Sequence, residues 1–251
     1  MTERAGEQTG DRLLHGRRLV RLDPMRAAIA RRMTDSKQQI PHFYVSAEIT
    51  VDPLLKALAQ LNAERASAAR VTVTAAVIGA LSTVLSEEPE FNARWSEEGL
   101  ELHAQRNIGV AIPVDGGLVA PAILRADELD LGQIADALVD LTERARTGRL
   151  RGRELTDGTF TLTNLGMHNV SSFAAIIVPP QVAILALGRA AERAIVVDGE
   201  VVARRVMTAT LSSDHRAVDG VAAARFLARL RDRLMTSPKW IAVADKPGEK
   251  S

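Results

Sequence analysis

The hydrophobic positions change period repeatedly along the chain, and each change marks an element. Residues 1–19 are rich in Gly, Arg and Glu without an apolar period and read as a flexible basic leader. Asp23-Pro24 then opens a helix, Asp as N-cap and Pro at its first position, with Met25, Ile29 and Met33 on one face. After Pro41 the stretch HFYVSAEITV alternates, which places Phe43, Val45, Ala47 and Ile49 on one face of a strand. Asp52-Pro53 begins a helix carrying Leu54, Leu55, Leu58 and Leu61. Thr74 reads as the cap of a largely buried helix that runs through Leu85 and ends before Pro89.

A hairpin is predicted from Trp95 to Leu102, turning at Glu97-Glu98-Gly99. Ile108 to Val114 and Leu118 to Leu124 read as strands joined through Asp115-Gly116-Gly117, and Leu131 to Thr147 as an amphipathic helix closed by Gly148. Strands follow at Thr159 to Thr163, Ala183 to Leu187 and Val206 to Leu211, with a hairpin around Asp198-Gly199. Asp219 caps a last helix, with Val221, Leu227, Leu230 and Leu234 inward and Arg225, Arg229 and Arg233 solvated. Regular βαβ alternation is missing, so the fold class is α/β of the α+β kind, a two-layer sandwich of a mixed β-sheet and helices.

Composition narrows the chemistry. Over 251 residues, 46% hydrophobic and 25% charged content fits a globular domain, and only 3% aromatic residues argues for an aliphatic core and against stacking platforms for nucleic acid. Thirty-two basic residues against 31 acidic ones create no overall field to steer the chain to a polyanion or a membrane. The local excess of Arg before residue 33 reads as a solvated face. Absence of Cys excludes disulfides, thiolate metal sites and a cysteine nucleophile. The apolar stretches Val71 to Leu85 and Ala174 to Leu187 are shorter than the ~20 residues a bilayer needs, and the N-terminus has no secretory apolar region. The expectation is a cytoplasmic protein.

The informative segment is Ser212-Ser213-Asp214-His215-Arg216-Ala217-Val218-Asp219-Gly220, a polar cluster between a β-rich run and a helix. Rigid elements commonly hold functional side chains at such junctions. Asp219 as a helix cap and His215 as a surface histidine account for the same residues. One His and one or two Asp make no persuasive metal set. The sequence has no Gly-x-Ser-x-Gly elbow, and Gly116-Gly117 and Gly148 to Gly152 lack the spacing of a dinucleotide loop.

DHRAVDG, preceded by GTFTLTNLGMHNVSSFAAIIVPPQVAILALG, resembles the catalytic domain of dihydrolipoamide acyltransferases, the core component of 2-oxo-acid dehydrogenase complexes. MRAAIARRMTDSKQQIPHFYVSAEI, PEFNARW and NIGVAIPVDGGLVAPAI occur in the order that family uses, so the likeness extends from Leu22 to Trp240. It implies a chloramphenicol-acetyltransferase-like fold, assembled as homotrimers with active sites between subunits. It also implies acyl transfer from S-acyl-dihydrolipoyl, supplied in trans on a separate lipoyl domain, to coenzyme A as substrate, without a metal. His215 matches the family's general base; a thiol of pKa ~8.5 needs one, and histidine titrates near neutrality. Thr163 matches the serine that donates a hydrogen bond to the tetrahedral oxyanion, keeping the hydroxyl but adding a methyl. Asp219 stands where members carry Asp or Asn, expected to hold the turn. Arg26 is expected to pair with Asp219, with Asn164, Gly166 and Asp214 supporting. Without Cys, both sulfurs in the reaction belong to substrates.

The likeness sets residues 20–241 as the catalytic domain and 242–251 as a soluble tail. Members carry lipoyl and subunit-binding domains ahead of this core, and neither is read here. The usual Leu-rich C-terminal plug is also missing, with Trp240, Ile241 and Val243 as candidate substitutes, so a trimer is expected and a larger cage stays open. Lipoyl-bearing domains and decarboxylase-type components are the implied partners. His42 and His168 are assigned to packing or surface. Two alternatives remain: a non-catalytic scaffold core, or transfer to an acyl-carrier-protein thiol.

Overall fold

The computed structural model describes residues 12–14, 17–65, 67 and 69–235. Trp240, Ile241, Val243 and the tail 242–251 therefore lie outside the described residues. Within the expected leader, β1 (Arg12–Leu14) and β2 (Arg17–Leu19) pair as a short antiparallel hairpin. Helix α1 (Pro24–Gln39) starts as read, its Asp23 side chain accepting the Arg26 N–H at 2.8 Å. Met25, Ile29 and Met33 do share a face, but it lines a cavity and is only partly buried.

Strand β3 (His42–Thr50) alternates as its pattern demands, and α2 (Asp52–Glu64) buries Leu54, Ala57 and Leu58. Helix α3 (Val73–Glu87) is the most buried of the helices. Its cap is Thr72 and not Thr74: Thr72 is the last extended residue, and its hydroxyl accepts the Ala75 N–H at 3.2 Å. Thr74, two residues on and within the first turn, is released for another role.

The hairpin β4 (Ala93–Ser96) and β5 (Gly99–Leu102) turns at Glu97-Glu98 as expected. The next expected pair of long strands is instead four short ones, β6 (Ile108–Val110), β7 (Ile112–Val114), β8 (Gly117–Val119) and β9 (Ala122–Ile123). β6 and β9 pair in the main sheet while β7 and β8 form a separate hairpin. Pro121 has no N–H to carry the ladder across the break, and the Ala111 N–H is diverted to the Leu162 carbonyl at 3.0 Å. Helix α4 (Leu131–Arg146) has a full Asp130/Gln133 capping box, and the chain leaves it through Gly148 at φ +66°.

A short helix α5 (Gly152–Thr156) without a sequence signal precedes β10 (Phe160–Asn164) and β11 (Ala183–Leu187). Strand β12 (Ala191–Val197) turns through Asp198-Gly199 into β13 (Glu200–Asp214), far longer than the expected Val206 to Leu211. Its first part is the far arm of the hairpin expected at Asp198-Gly199, and Arg204-Arg205 hide its continuity with Val206, because they are held by pairing with β12 rather than by burial. Helix α6 (Gly220–Met235) ends the described chain.

The main sheet runs β12-β13-β11-β10-β6-β9, with β3 also on β13. β10 is parallel to β6 and β11, and the β11, β13 and β3 pairings are antiparallel. Leu162, Leu185 and Leu211 point from one face into a core shared with α2, α3, α4 and α6. The core is aliphatic, as composition requires, around Phe91, Phe160 and Phe226, whose rings sit 4.6 and 5.8 Å apart about Phe226.

On α6, Leu227, Leu230 and Leu234 are buried as expected but Val221 is exposed. Its arginines are not simply solvated. Arg225 and Arg229 hold the buried Glu88 carboxylate at 2.6 and 2.7 Å, and Arg233 reaches Glu87, so a row of charge spans α3 and α6. Burying Glu88 is tolerable only because both guanidiniums satisfy it. Among the described residues no helix is long and apolar enough to cross a membrane.

Candidate active site

β13 delivers the first half of the site. Its last residue, Asp214, is 2% exposed, and the chain turns there because the Ala217 and Val218 N–H groups both bond the Asp214 carbonyl. Arg216 folds back, its Nε and Nη2 on the two Asp214 oxygens at 2.9 and 2.7 Å and its Cζ 3.9 Å from the centre of the Trp95 ring. This charge-assisted fork and the stacked ring close the turn around the residue between them. His215 is thereby held outward and exposed, its N–H on the Pro41 carbonyl and its ring 4.6 Å from Phe43. Asp219 is exposed and caps α6, accepting the Ala222 N–H at 2.8 Å. That is a turn-holding position.

β10 delivers the second half. Thr163 is half-buried, on the sheet face opposite α2, α3, α4 and α6, and borders a cavity of about 490 Å³. Helix α1, the β7–β8 hairpin and the 175–181 segment form the rest of its wall, which is mainly apolar. Among the described residues the Thr163 hydroxyl has no hydrogen-bond partner and is accessible, so it is available to a ligand as a donor. Asn164 fixes the turn beyond it, donating to the Thr74 hydroxyl at 3.0 Å and accepting the Gly166 N–H at 2.8 Å. This is the role for which Thr74 is released from capping. A Cβ on Gly166 would come within 2.9 Å of the Asn164 Oδ1 and 3.2 Å of the Gly188 carbonyl, so the turn needs glycine there.

The two halves do not meet within one chain. Thr163 pairs with Ala186 on β11, whereas the Asp214 N–H bonds Val182 at the other end of that strand. Four residues along β11 and two strand spacings across separate them by about 13 Å and about 10 Å. Asn164 and Gly166 belong with Thr163; Asp214 and Asp219 belong with His215. Among the described residues Arg26 makes no side-chain bond to Asp219.

His42 is a structural pin. Its Nε2 accepts the Ile177 N–H at 3.0 Å, so Nδ1 carries the proton donated to the Ile40 carbonyl at 2.8 Å. Burial pushes this imidazole below its usual range, with the Lys37 charge acting the same way. His168 is exposed in the turn after β10.

The profile of the 2-oxoacid dehydrogenases acyltransferase (catalytic domain) family matches residues 15–242. The chain belongs to that family. A family member from Rhizobium meliloti, the dihydrolipoyllysine-residue acetyltransferase component of a pyruvate dehydrogenase complex, is 38% identical over 230 residues. The match covers 90% of this chain and 51% of that relative, so the chain spans about half the length of the curated relatives it matches. The dihydrolipoamide acetyltransferase of Azotobacter vinelandii superposes with a TM-score of 0.84 at 28% identity, covering 89% of this chain and 93% of that one. In that enzyme a serine, a histidine 52 residues later and an asparagine four further on were investigated for their role in catalysis. Chloramphenicol acetyltransferase, at 16% identity and a TM-score of 0.50 over 81% of this chain and 94% of that one, shares the fold alone.

Sequence reasoning found both polar motifs of this acyltransferase domain but missed Arg216 with Trp95, and Thr74 with Asn164. Each pair joins residues about 90 or more positions apart, a proximity that no local pattern encodes.

Proposed function

We propose that this domain transfers an acyl group between a dihydrolipoyl thiol, carried by a separate lipoyl domain, and coenzyme A. The observation that carries the reading is the spacing of Thr163, His215 and Asp219. Their intervals equal those between the serine, histidine and asparagine of the A. vinelandii enzyme, on the same fold. In the reading, His215 removes the proton of the coenzyme A thiol, and the thiolate attacks the thioester carbonyl. The Thr163 hydroxyl donates to the oxyanion, a contribution of about 3 kcal/mol for one such donor. Collapse expels the dihydrolipoyl thiolate, which takes the proton back from the imidazolium. Asp219 keeps the His215 turn in place through its cap on α6.

The separation of Thr163 from His215 favours a site completed by a second copy, His215 of one chain facing Thr163 of the next in a homotrimer. A closed ring of three gives each chain both roles. Lipoyl domains and decarboxylase-type components are the partners this reading implies. Threonine for serine and aspartate for asparagine retain, respectively, a donor and a cap.

The test is transfer between S-acetyl-dihydrolipoyl domain and coenzyme A, followed by chromatographic detection of acetyl-coenzyme A, because the number of thioester bonds does not change in the reaction. Turnover is expected. No transfer with any acyl donor would reject the reading and leave the scaffold alternative.

A further inference from the structure

We propose that Gln181 sets the depth of the acyl pocket and confines transfer to short, uncharged acyl groups. The inference rests on the function proposed above. Thr161 and Thr163 lie on the same face of β10, two residues and about 7 Å apart. The cavity that opens at Thr163 therefore extends past Thr161, and there Gln181 crosses it. Thr161 and Gln181 are only 1% and 7% exposed. The Thr161 hydroxyl donates to Gln181 Oε1 at 2.7 Å, and Gln181 Nε2 donates to the Gly158 carbonyl at 3.0 Å.

Behind that amide lies a second cavity of about 510 Å³, whose wall includes Arg94, His103, Asn107 and Asp157. Gln181, Gly158, Pro180 and Thr156 border both spaces. Gln181 is thus a partition between an apolar compartment and a polar one. A short acyl chain attached at the carbonyl held by Thr163 ends on the amide plane. A longer chain must displace an amide anchored at both ends.

Charge supplies the second restriction. Among the described residues bordering the Thr163 cavity, Arg32 is the one ionised side chain, and it is exposed and donates to the Pro179 carbonyl at 2.5 Å. The floor offers no cation to a terminal carboxylate, so a dicarboxylic acyl group would bury its charge unpaired.

The experiment measures kcat/KM for acetyl-, butyryl-, octanoyl- and succinyl-coenzyme A with dihydrolipoamide as acceptor, using the full chain. Wild type should fall at least tenfold from butyryl to octanoyl and from butyryl to succinyl, in line with what pocket fit discriminates. Gln181→Ala should raise the octanoyl-to-acetyl ratio at least tenfold. Gln181→Asn, which keeps the amide, should raise it less, and serves if the alanine variant does not fold. Ala120→Leu, which fills the same compartment, should lower butyryl relative to acetyl. Acetyl transfer with an unchanged length profile in the three variants would overturn the role of Gln181 while leaving the function standing. Efficient succinyl transfer by wild type would overturn the charge restriction. No transfer from any donor would sink the function and this inference together.

Discussion

The Thr163 and His215 halves of the site are built from different forces. Around Thr163 the buried contacts are between neutral groups, Asn164 to Thr74, Thr161 to Gln181 and Gln181 to Gly158, with a single cation among the described residues, Arg32, at the exposed rim. Around His215 the contacts are ionic, with Asp214 forked by Arg216 beside the turn and Glu88 gripped by Arg225 and Arg229 beneath α6. The Thr163 half encloses a cavity; the His215 half projects an exposed ring from a braced turn. In the proposed function the first receives the acyl group and the second presents the base. A neutral scaffold suits a pocket that must exclude water, while a turn at the surface can use ion pairs because solvent still reaches the arginine ends.

The largest expected effect comes from deleting the base. His215→Ala should lower kcat by about 10²–10⁴, and Thr163→Val by about 10²–10³, whereas Thr163→Ser should retain activity. The two weak variants together test whether the halves belong to different chains. If subunits are mixed at random, about one quarter of the sites regain both groups in a trimer with sites between subunits. Activity assays on the co-refolded mixture read this directly. A mixture as inactive as its parts, with exchange verified by mass spectrometry, would put both groups in one chain.

These two halves were also unequally legible. The hydroxyl and the imidazole stand in short motifs that carry the family resemblance, and it is that resemblance, not the residues by themselves, that nominates Thr163 and His215. Patterning likewise delivers most elements, since Asp23 and Asp219 cap helices where the apolar period starts. It fails where tertiary contacts decide. Thr72 and Thr74 are equally good caps in isolation, and what separates them is Asn164, ninety residues away. That the hairpin at Asp198-Gly199 and the strand from Val206 are one continuous β13 is not legible, because Arg204-Arg205 interrupt the apolar run and β12, not the core, holds them. Gln181 is one polar residue in an apolar run until Thr161 and Gly158 face it.

A smaller effect separates bracing from chemistry on the His215 side. Arg216→Lys keeps the charge but loses the planar fork to Asp214 and the stacking on Trp95. It should lower kcat about tenfold with little change in KM, as a base held less firmly would. If KM rises instead with kcat unchanged, Arg216 touches substrate and the bracing role is wrong. The neutral half should be indifferent to this change, so the acyl-length profile stays as in wild type.

The smallest effect concerns stability, and it divides the halves by pH. The Arg225 hydrogen bond holds the Glu88 carboxyl below its ordinary 4.5, with Arg229 adding to the effect and burial opposing it. A carboxylate depressed in the folded state stabilises fully above its unfolded value, and the contribution disappears as pH falls through the native value. Glu88→Gln should therefore cost about 1–2 kcal/mol at neutral pH, modest because the arginine ends remain in water. The gap in Tm between wild type and Glu88→Gln should narrow below about pH 4.5. Asn164→Asp provides the counterpart at the Thr163 half. The carboxylate can still accept from the Gly166 N–H and, with the hydroxyl reversed to a donor, from Thr74, but it brings an ionisable group into the Asn164-Leu165-Gly166 turn, which has none, so the variant's Tm gap from wild type should change between pH 7 and pH 3. A Tm gap that persists unchanged to pH 3 would mean that the cost of Glu88→Gln does not come from its charge, and no gap at neutral pH would mean that the α3–α6 arginines find other carboxylates, such as Glu87 and Glu90, so that Glu88 is one member of an interchangeable row.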